Sequence, residues 1–285
     1  MASQNKFKTF LEMIKFEHTI FALPFAYLGA FLASGGVPTA ANLFWITVAM
    51  VGARTAAMSL NRLIDRQIDA LNPRTAARAL PKGLLSVGEV WLYTIISFVI
   101  LFAAAAQLNP LCVKLMPVAV FVLVIYSYTK RWTWACHFVL GIALGLAPLG
   151  SWVAVTGSID LPGILLGLAV AVWVAGFDII YACQDYDFDR NAGIHSVPKR
   201  FGISRALVIS SVLHIFAPLL LLAVGLYAGL GIFYLVGVLA ATGLLYYEHR
   251  LIRPDDLSKL GMAFMNMNGY LSTLMFVFTV LDVLL

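Results

Sequence analysis

The run "ANLFWITVAMVGARTAAMSL", residues 41–60, passes directly into "NRLIDRQID", Asn61–Asp69. The first stretch is long enough to cross a bilayer, which takes ~20 mostly apolar residues. The second sets two amides, two arginines and two carboxylates where that apolar run stops. A similar junction recurs further along. "FDIIYACQDYDFDR", Phe177–Arg190, closes another apolar run with four aspartates. Together the two junctions describe an all-α chain that crosses a membrane repeatedly and gathers acid on one side.

Composition supports that class. The chain has 285 residues, 61% hydrophobic and 12% charged, with a mean hydropathy of +0.91. Soluble domains carry roughly 25% charged residues, so half that fraction cannot cover the chain with polar surface. The formal charge of +5 would suit a nucleic-acid binder only if the bases formed a stripe. They sit instead at the ends of apolar runs. Cys112, Cys136 and Cys183 lie far apart inside such runs. They have neither metal spacing nor a disulfide framework, and read as small buried hydrophobes. The opening "MASQNKFKTFLEMIKFEHT" is polar and lacks a cleavable signal pattern, so the first apolar run is expected to be a retained span.

Nine spans are expected, over 16–36, 40–60, 88–108, 111–129, 134–157, 162–183, 205–227, 229–248 and 262–284. Turn chemistry separates them at Gly35–Pro38, Leu108–Pro110, Thr156–Ser158 and Tyr227–Gly231. No linker or shift in composition divides residues 1–285, which read as one domain. If nine spans alternate, nearly all the bases fall on one side: Lys6, Lys8 and Lys15, then Arg62 to Lys82, Lys130 and Arg131, Arg190 to Arg205, and Arg250 to Lys259. Lys114 falls opposite, and Arg54 lies within the second span. Basic loops mark the cytoplasmic face, so the N-terminus is expected in the cytoplasm. With no organelle-targeting segment in view, the membrane is expected to be a prokaryotic cell (inner) membrane.

Topology does not explain the acids, which contribute little to orientation. Asp65, Asp69, Asp178, Asp185, Asp187 and Asp189 are six of the chain's fourteen acidic residues. At ~100° per residue, Asn61, Asp65 and Asp69 share one helix face. Asp178, Asp185 and Asp189 share another, with Tyr181 near it and Asp187 pointing away. Asp178 lies more than a turn inside its span, where a carboxylate is costly and usually functional. Two facing carboxylate rows would repel and hold protons unless a divalent cation lay between them. Mg²⁺ takes oxygen ligands, commonly one or two carboxylates together with waters and substrate phosphates. Nearby Arg and Lys would then contact the phosphate itself. No glycine-rich nucleotide loop is present, so the phosphate is expected to be a diphosphate other than ATP's.

The two junctions resemble the motifs of the UbiA superfamily of intramembrane prenyltransferases. The carrying residues are Asn61 to Asp69 with Asn72 to Gly83, and Asp178 to Asp189 with Gly193 to Ser196. "YSYTKR" at 126–131 resembles the basic end of the family's fourth helix. The resemblance implies that Mg²⁺, held by Asn61, Asp65 and Asp69 and by Asp185 and Asp189, binds the diphosphate of an allylic polyprenyl donor. It implies a bundle of nine transmembrane helices with its active site at the cytoplasmic side. Arg54, Lys130, Arg74 and Arg78 are the expected diphosphate contacts. Asp178 and Tyr181 are expected to orient the aromatic acceptor or assist proton loss, and Lys15 and His18 to stand at the mouth. The general pattern is similar to the branch that prenylates 4-hydroxybenzoate for ubiquinone. Arg62 after Asn61, where that branch usually has Asp, and "GIHS" at 193–196 depart from it. "KFEHTIFALPFA" and "NPRTAARALPKG" are closer to a sister branch acting on 1,4-dihydroxy-6-naphthoate for menaquinone. Both acceptors are hydroxylated aromatic acids. A reading of another class, an ion-coupled transporter, predicts acids near mid-membrane and broken helices in related halves. The 120-residue offset between Asp65 and Asp185 keeps that reading in view.

Overall fold

The computed structural model describes residues 5–16, 18–262 and 267–285; of residues 18–22 and 262 it describes only the backbone. The chain is all-α. Its helices are α1 (Lys6–Met13), α2 (His18–Ser34), α3 (Ala40–Leu71), α4 (Val87–Leu108), α5 (Pro110–Thr129), α6 (Cys136–Thr156), α7 (Leu161–Ala182), α8 (Tyr186–Ala192), α9 (Val197–Phe201), α10 (Ile203–Ala228), α11 (Ile232–Leu251), α12 (Leu260–Met262) and α13 (Asn268–Leu284).

Polar residues between the apolar runs set the helix starts. Thr39 caps α3 by accepting from the Asn42 N–H. Ser86 and Glu89 form a reciprocal capping box at α4. Asn109 caps α5, with Pro110 in the first turn, where its missing N–H costs nothing. Gly157 and Gly229, both with positive φ, end α6 and α10 in the left-handed conformation that glycine adopts without strain.

Among the described residues, seven helices are long and apolar enough to cross a membrane: α3 to α7, α10 and α11. The chain is therefore a multi-pass membrane bundle. The expected first and ninth spans fall on α2 and α13. Each has 17 residues, about 26 Å at 1.5 Å per residue, at the short end of the range that crosses a bilayer.

Small residues let the inner helices approach. A Cβ on Gly141 would lie 2.2 Å from the Ala171 carbonyl oxygen, and one on Gly145 would lie 2.4 Å from that of Gly167. Gly29 meets the Pro148 carbonyl in the same way. Such contacts join membrane helices, where burial of apolar area supplies no driving force. The span that begins at Leu161 is the most enclosed, with 72% of its apolar window buried. Around it, Phe25, Leu28, Trp173, Val174, Leu221 and Tyr234 form the main apolar cluster.

Two departures from the expected helices shape the site. The helix begun in the second span does not stop at Leu60 but continues to Leu71. The polar stretch is itself amphipathic, with Leu63 buried beside the aspartates. After Ala182 the chain tightens into a 3-10 turn, Cys183–Asp185, before resuming as α8. That turn breaks the simple helical arithmetic linking Asp178 to Asp189.

Candidate active site

A cavity of about 1330 Å³ opens at the end of the bundle where α3, α5 and α7 carry their charges. Its walls include Lys15, Arg54, Asn61, Asp65, Asp69, Arg74, Arg78, Lys130, Asp178, Tyr181, Asp185 and Asp189. Every site residue singled out from the sequence therefore faces one space, apart from His18, whose side chain lies outside the described residues. Asp187 is exposed and does not line the cavity.

Three acids of the two motifs, Asp65, Asp69 and Asp185, are paired with Arg or Lys. Asp65, 1% exposed, meets Lys130 Nζ at 2.5 Å and Arg131 Nη1 at 3.0 Å, and Asn61 Nδ2 donates to it at 2.9 Å. Asp69 receives Arg78 Nη1 at 2.7 Å on both oxygens. From the second motif, Asp185 takes a fork from Arg74, with Nε at 2.9 Å and Nη2 at 2.5 Å, and a bond from Asn72 Nδ2 at 2.9 Å. Thus the loop after the first motif reaches across and holds the second. Burial works against the Arg74 charge. The hydrogen bonds and negative charge of Asp185 outweigh it and hold the guanidinium above its ordinary pKa. Arg74 also donates to the Tyr181 hydroxyl at 3.1 Å and lies over its ring. Asp189, 6% exposed, accepts from Ser196 Oγ at 2.7 Å.

Several contributors escaped the sequence reading. His137, at the start of α6, is 3% exposed. Its Nε2 accepts the Val197 N–H at 3.2 Å, which leaves Nδ1–H to donate to Asp178 Oδ2 at 2.6 Å. A lone histidine in an apolar run gave no periodic signal. Asn72, Arg131 and Ser196 stood inside stretches already noted, but their partners lie far away in sequence. Arg54 Nη2 donates to the Lys15 carbonyl at 3.3 Å. Lys15 has a positive φ of 53°, found at no other described residue except glycines. It turns the chain at the end of α1, beside the cavity wall.

In donor chemistry the site suits Mg²⁺. All five candidate ligands offer oxygen, as this ion prefers. Asp65 Oδ1 accepts no well-directed hydrogen bond although it is buried; Arg131 stands beside it but is poorly aimed. Yet among the described residues no three His, Cys, Asp or Glu side chains converge on one point closely enough to hold a metal by themselves. The arrangement fits an ion whose shell is completed by waters and a phosphate, not a closed protein cage.

From the acidic end the cavity continues along α3 as an apolar arm, past Met50 to Ile46, with Leu101, Leu108 and Met116 on the facing helices. The 23 positions between Ile46 and Asp69 correspond to roughly 35 Å of helix.

A family model described as the UbiA prenyltransferase family matches residues 22–270. The chain is 34% identical over 254 residues to a 4-hydroxybenzoate octaprenyltransferase from Aeromonas salmonicida, covering 89% of this chain and 87% of that one. It is 33% identical to a relative of the same name from Nitrosospira multiformis, over 90% and 88%. The apo structure of a UbiA homologue from Aeropyrum pernix K1 superposes with a TM-score of 0.86 at 35% identity, covering 94% of this chain and 98% of that one. A UbiA homologue from Archaeoglobus fulgidus, bound to DMAPP and Mg²⁺, superposes with a TM-score of 0.66 at 22% identity, over 94% and 99%, and shares the fold.

Proposed function

Because the chain belongs to the UbiA prenyltransferase family, we propose that it transfers a polyprenyl group from polyprenyl diphosphate to a hydroxylated aromatic acid, in Mg²⁺-dependent fashion, for respiratory quinone synthesis. 4-Hydroxybenzoate is the first acceptor to test, and 1,4-dihydroxy-6-naphthoate the second. The observation that carries the reading is the meeting of Asp65 and Asp69 with Asp185 and Asp189 in the wall of one cavity that also has a long apolar arm.

Asn61, Asp65 and Asp69 on one side and Asp185 and Asp189 on the other would hold Mg²⁺. When bound, the ion neutralises diphosphate charge and makes it a better leaving group. Lys130, Arg74 and Arg78, now paired with the aspartates, turn to the diphosphate oxygens, with Arg54 beside them. The apolar arm takes the isoprenoid tail. The allylic C–O bond breaks, and its electron pair leaves with the diphosphate. The allylic cation is attacked by the ring carbon ortho to the acceptor's hydroxyl, forming a C–C bond. Asp178, held by His137, accepts the ring proton, and Tyr181 orients the ring. Lys15 at the cavity mouth, and His18 near it in sequence, help exclude water, which would quench the cation to an alcohol. Residues 1–285 act as one domain. Nine helices cross the cell (inner) membrane, with the N-terminus and the charged end of the cavity cytoplasmic.

Purified protein with geranyl diphosphate, 4-hydroxybenzoate and Mg²⁺ is expected to release diphosphate and yield a C-prenylated acid, detected by mass spectrometry. Chelation should abolish both. Ion flux in proteoliposomes, with no product from either aromatic acid, would replace the enzyme reading with the transporter.

A further inference from the structure

Arg62 stands inside the first motif but takes no part in its ion pairs. It is 9% exposed and lines the cavity. Its Nε donates to the Met13 carbonyl and its Nη1 to Asn61 Oδ1, both at 3.3 Å. Those contacts use two of its five N–H groups. Among the described residues, Nη2 donates to nothing and no carboxylate forms an ion pair with Arg62. The nearby acids have other partners: Asp65 has Lys130 and Arg131, and Asp69 has Arg78. Glu12 also lines the cavity, yet it is exposed and forms no ion pair with Arg62.

Asp69 and Asp65 attract Arg62 only through space, and Arg78 repels it. A guanidinium nine-tenths buried with no ion pair of its own is costly, because its desolvation is incompletely repaid. An anion arriving in the cavity would repay it. The rigid planar fork of arginine suits a carboxylate better than a point charge does. The position favours the acceptor over the donor. Lys130, Arg74 and Arg78 already surround the aspartates where a diphosphate would lie. Arg62 is instead fixed to the end of α1 through the Met13 carbonyl, and Thr9 and Met13 of that helix line the same cavity.

We propose that Arg62 receives the carboxylate of the aromatic acceptor and so selects anionic acceptors over neutral ones. The proposal rests on the prenyltransferase reading of the cavity. Its bonds to Met13 and Asn61 fix the fork from behind, so α1 and the first motif together set where the ring enters.

The test compares the full-length wild type with Arg62→Ala and Arg62→Lys, using geranyl diphosphate with 4-hydroxybenzoate or its neutral analogue 4-hydroxybenzamide. A lost charged hydrogen-bonding partner predicts a KM for the acid raised by about tenfold or more in Arg62→Ala. Arg62→Lys should recover part of that loss. The KM for geranyl diphosphate should stay near wild type, and the loss in kcat/KM should be at least about tenfold larger with the acid than with the amide. Elution from gel filtration as wild type shows that the variant is folded. In wild type alone, kcat/KM should favour the acid over the amide. Equal losses with acid and amide, or a raised KM for the diphosphate, would overturn the proposal. So would a wild type that does not distinguish acid from amide. Failure of wild type to prenylate any aromatic acid would instead remove the underlying prenyltransferase reading, and this inference with it.

Discussion

Asp65→Ala and Asp185→Ala are each expected to lower turnover by about 10³-fold or more, the scale on which a metal-assisted step depends on its ion. Both variants should still insert and elute from gel filtration as wild type does. One aspartate lies on α3 and the other in the 3-10 turn after α7, yet each is expected to be indispensable, because in the proposed function each would hold one half of a shared diphosphate site. Asp65 is 1% exposed and carries a buried oxygen without a well-aimed donor. Asp185 is bound by both Arg74 and Asn72. Removing either carboxylate has a second consequence: it leaves the Lys130–Arg131 pair or Arg74 without its anion. Asp65→Asn and Asp185→Asn separate these effects, since they keep the shape and lose the charge. The asparagine variants should be as inactive as the alanine ones. Activity near wild type in any of them would remove that residue from the metal shell.

In the proposed mechanism Asp178 would act at a later step. Removing a general base typically costs 10²–10⁴-fold, and Asp178→Ala is expected to lose about 10²-fold in kcat, with the KM for the diphosphate little changed. Isotope substitution adds a direct reading. Where ionisation of the donor limits turnover, deuterium on the acceptor ring at the prenylated carbon has little effect. Without the Asp178 carboxylate, loss of the ring proton becomes slow and a primary isotope effect appears. His137→Ala should show a milder form of the same change, because it frees Asp178 Oδ2 without deleting the carboxylate. If kcat falls while the isotope effect stays at unity, Asp178 serves binding, not proton removal.

Much of the architecture was legible because hydropathy reports burial in lipid directly. The apolar runs from residue 40 to 156 fall on α3 to α6 with little displacement. The ends of the bundle were harder to read. α2 and α13 each reach 17 residues, and length decides whether an apolar helix qualifies as a span. The polar tail of α3 was also obscured. A hydropathy window averages Asn61–Asp69 into a helix end, although Leu63 on the opposite face keeps the helix buried and continuous.

The acids of the site could be found because the same residue type recurred at helical spacing. Their partners could not. Arg74 to Asp185 and Lys130 to Asp65 join positions 111 and 65 apart in the chain, and no local pattern encodes such pairs. His137 bridges α7 and α9 through Asp178 and the Val197 N–H. Its role depends on the tertiary approach of three elements. Arg62 reads from sequence as one more topological base. Only its burial beside Met13, with the nearby carboxylates paired to other bases, sets it apart.

Mn²⁺, observed by electron paramagnetic resonance as it is titrated into purified protein with and without a non-ionisable thiolo analogue of geranyl diphosphate, addresses the shared diphosphate site most directly. Binding should be weak without the analogue, since no three described acidic or histidine groups converge on one point. It should tighten strongly with the analogue present, and that gain should disappear in both Asp65→Asn and Asp185→Asn. Tight binding without the analogue, or a gain that survives either substitution, would contradict a metal site completed by the diphosphate between the two aspartate motifs.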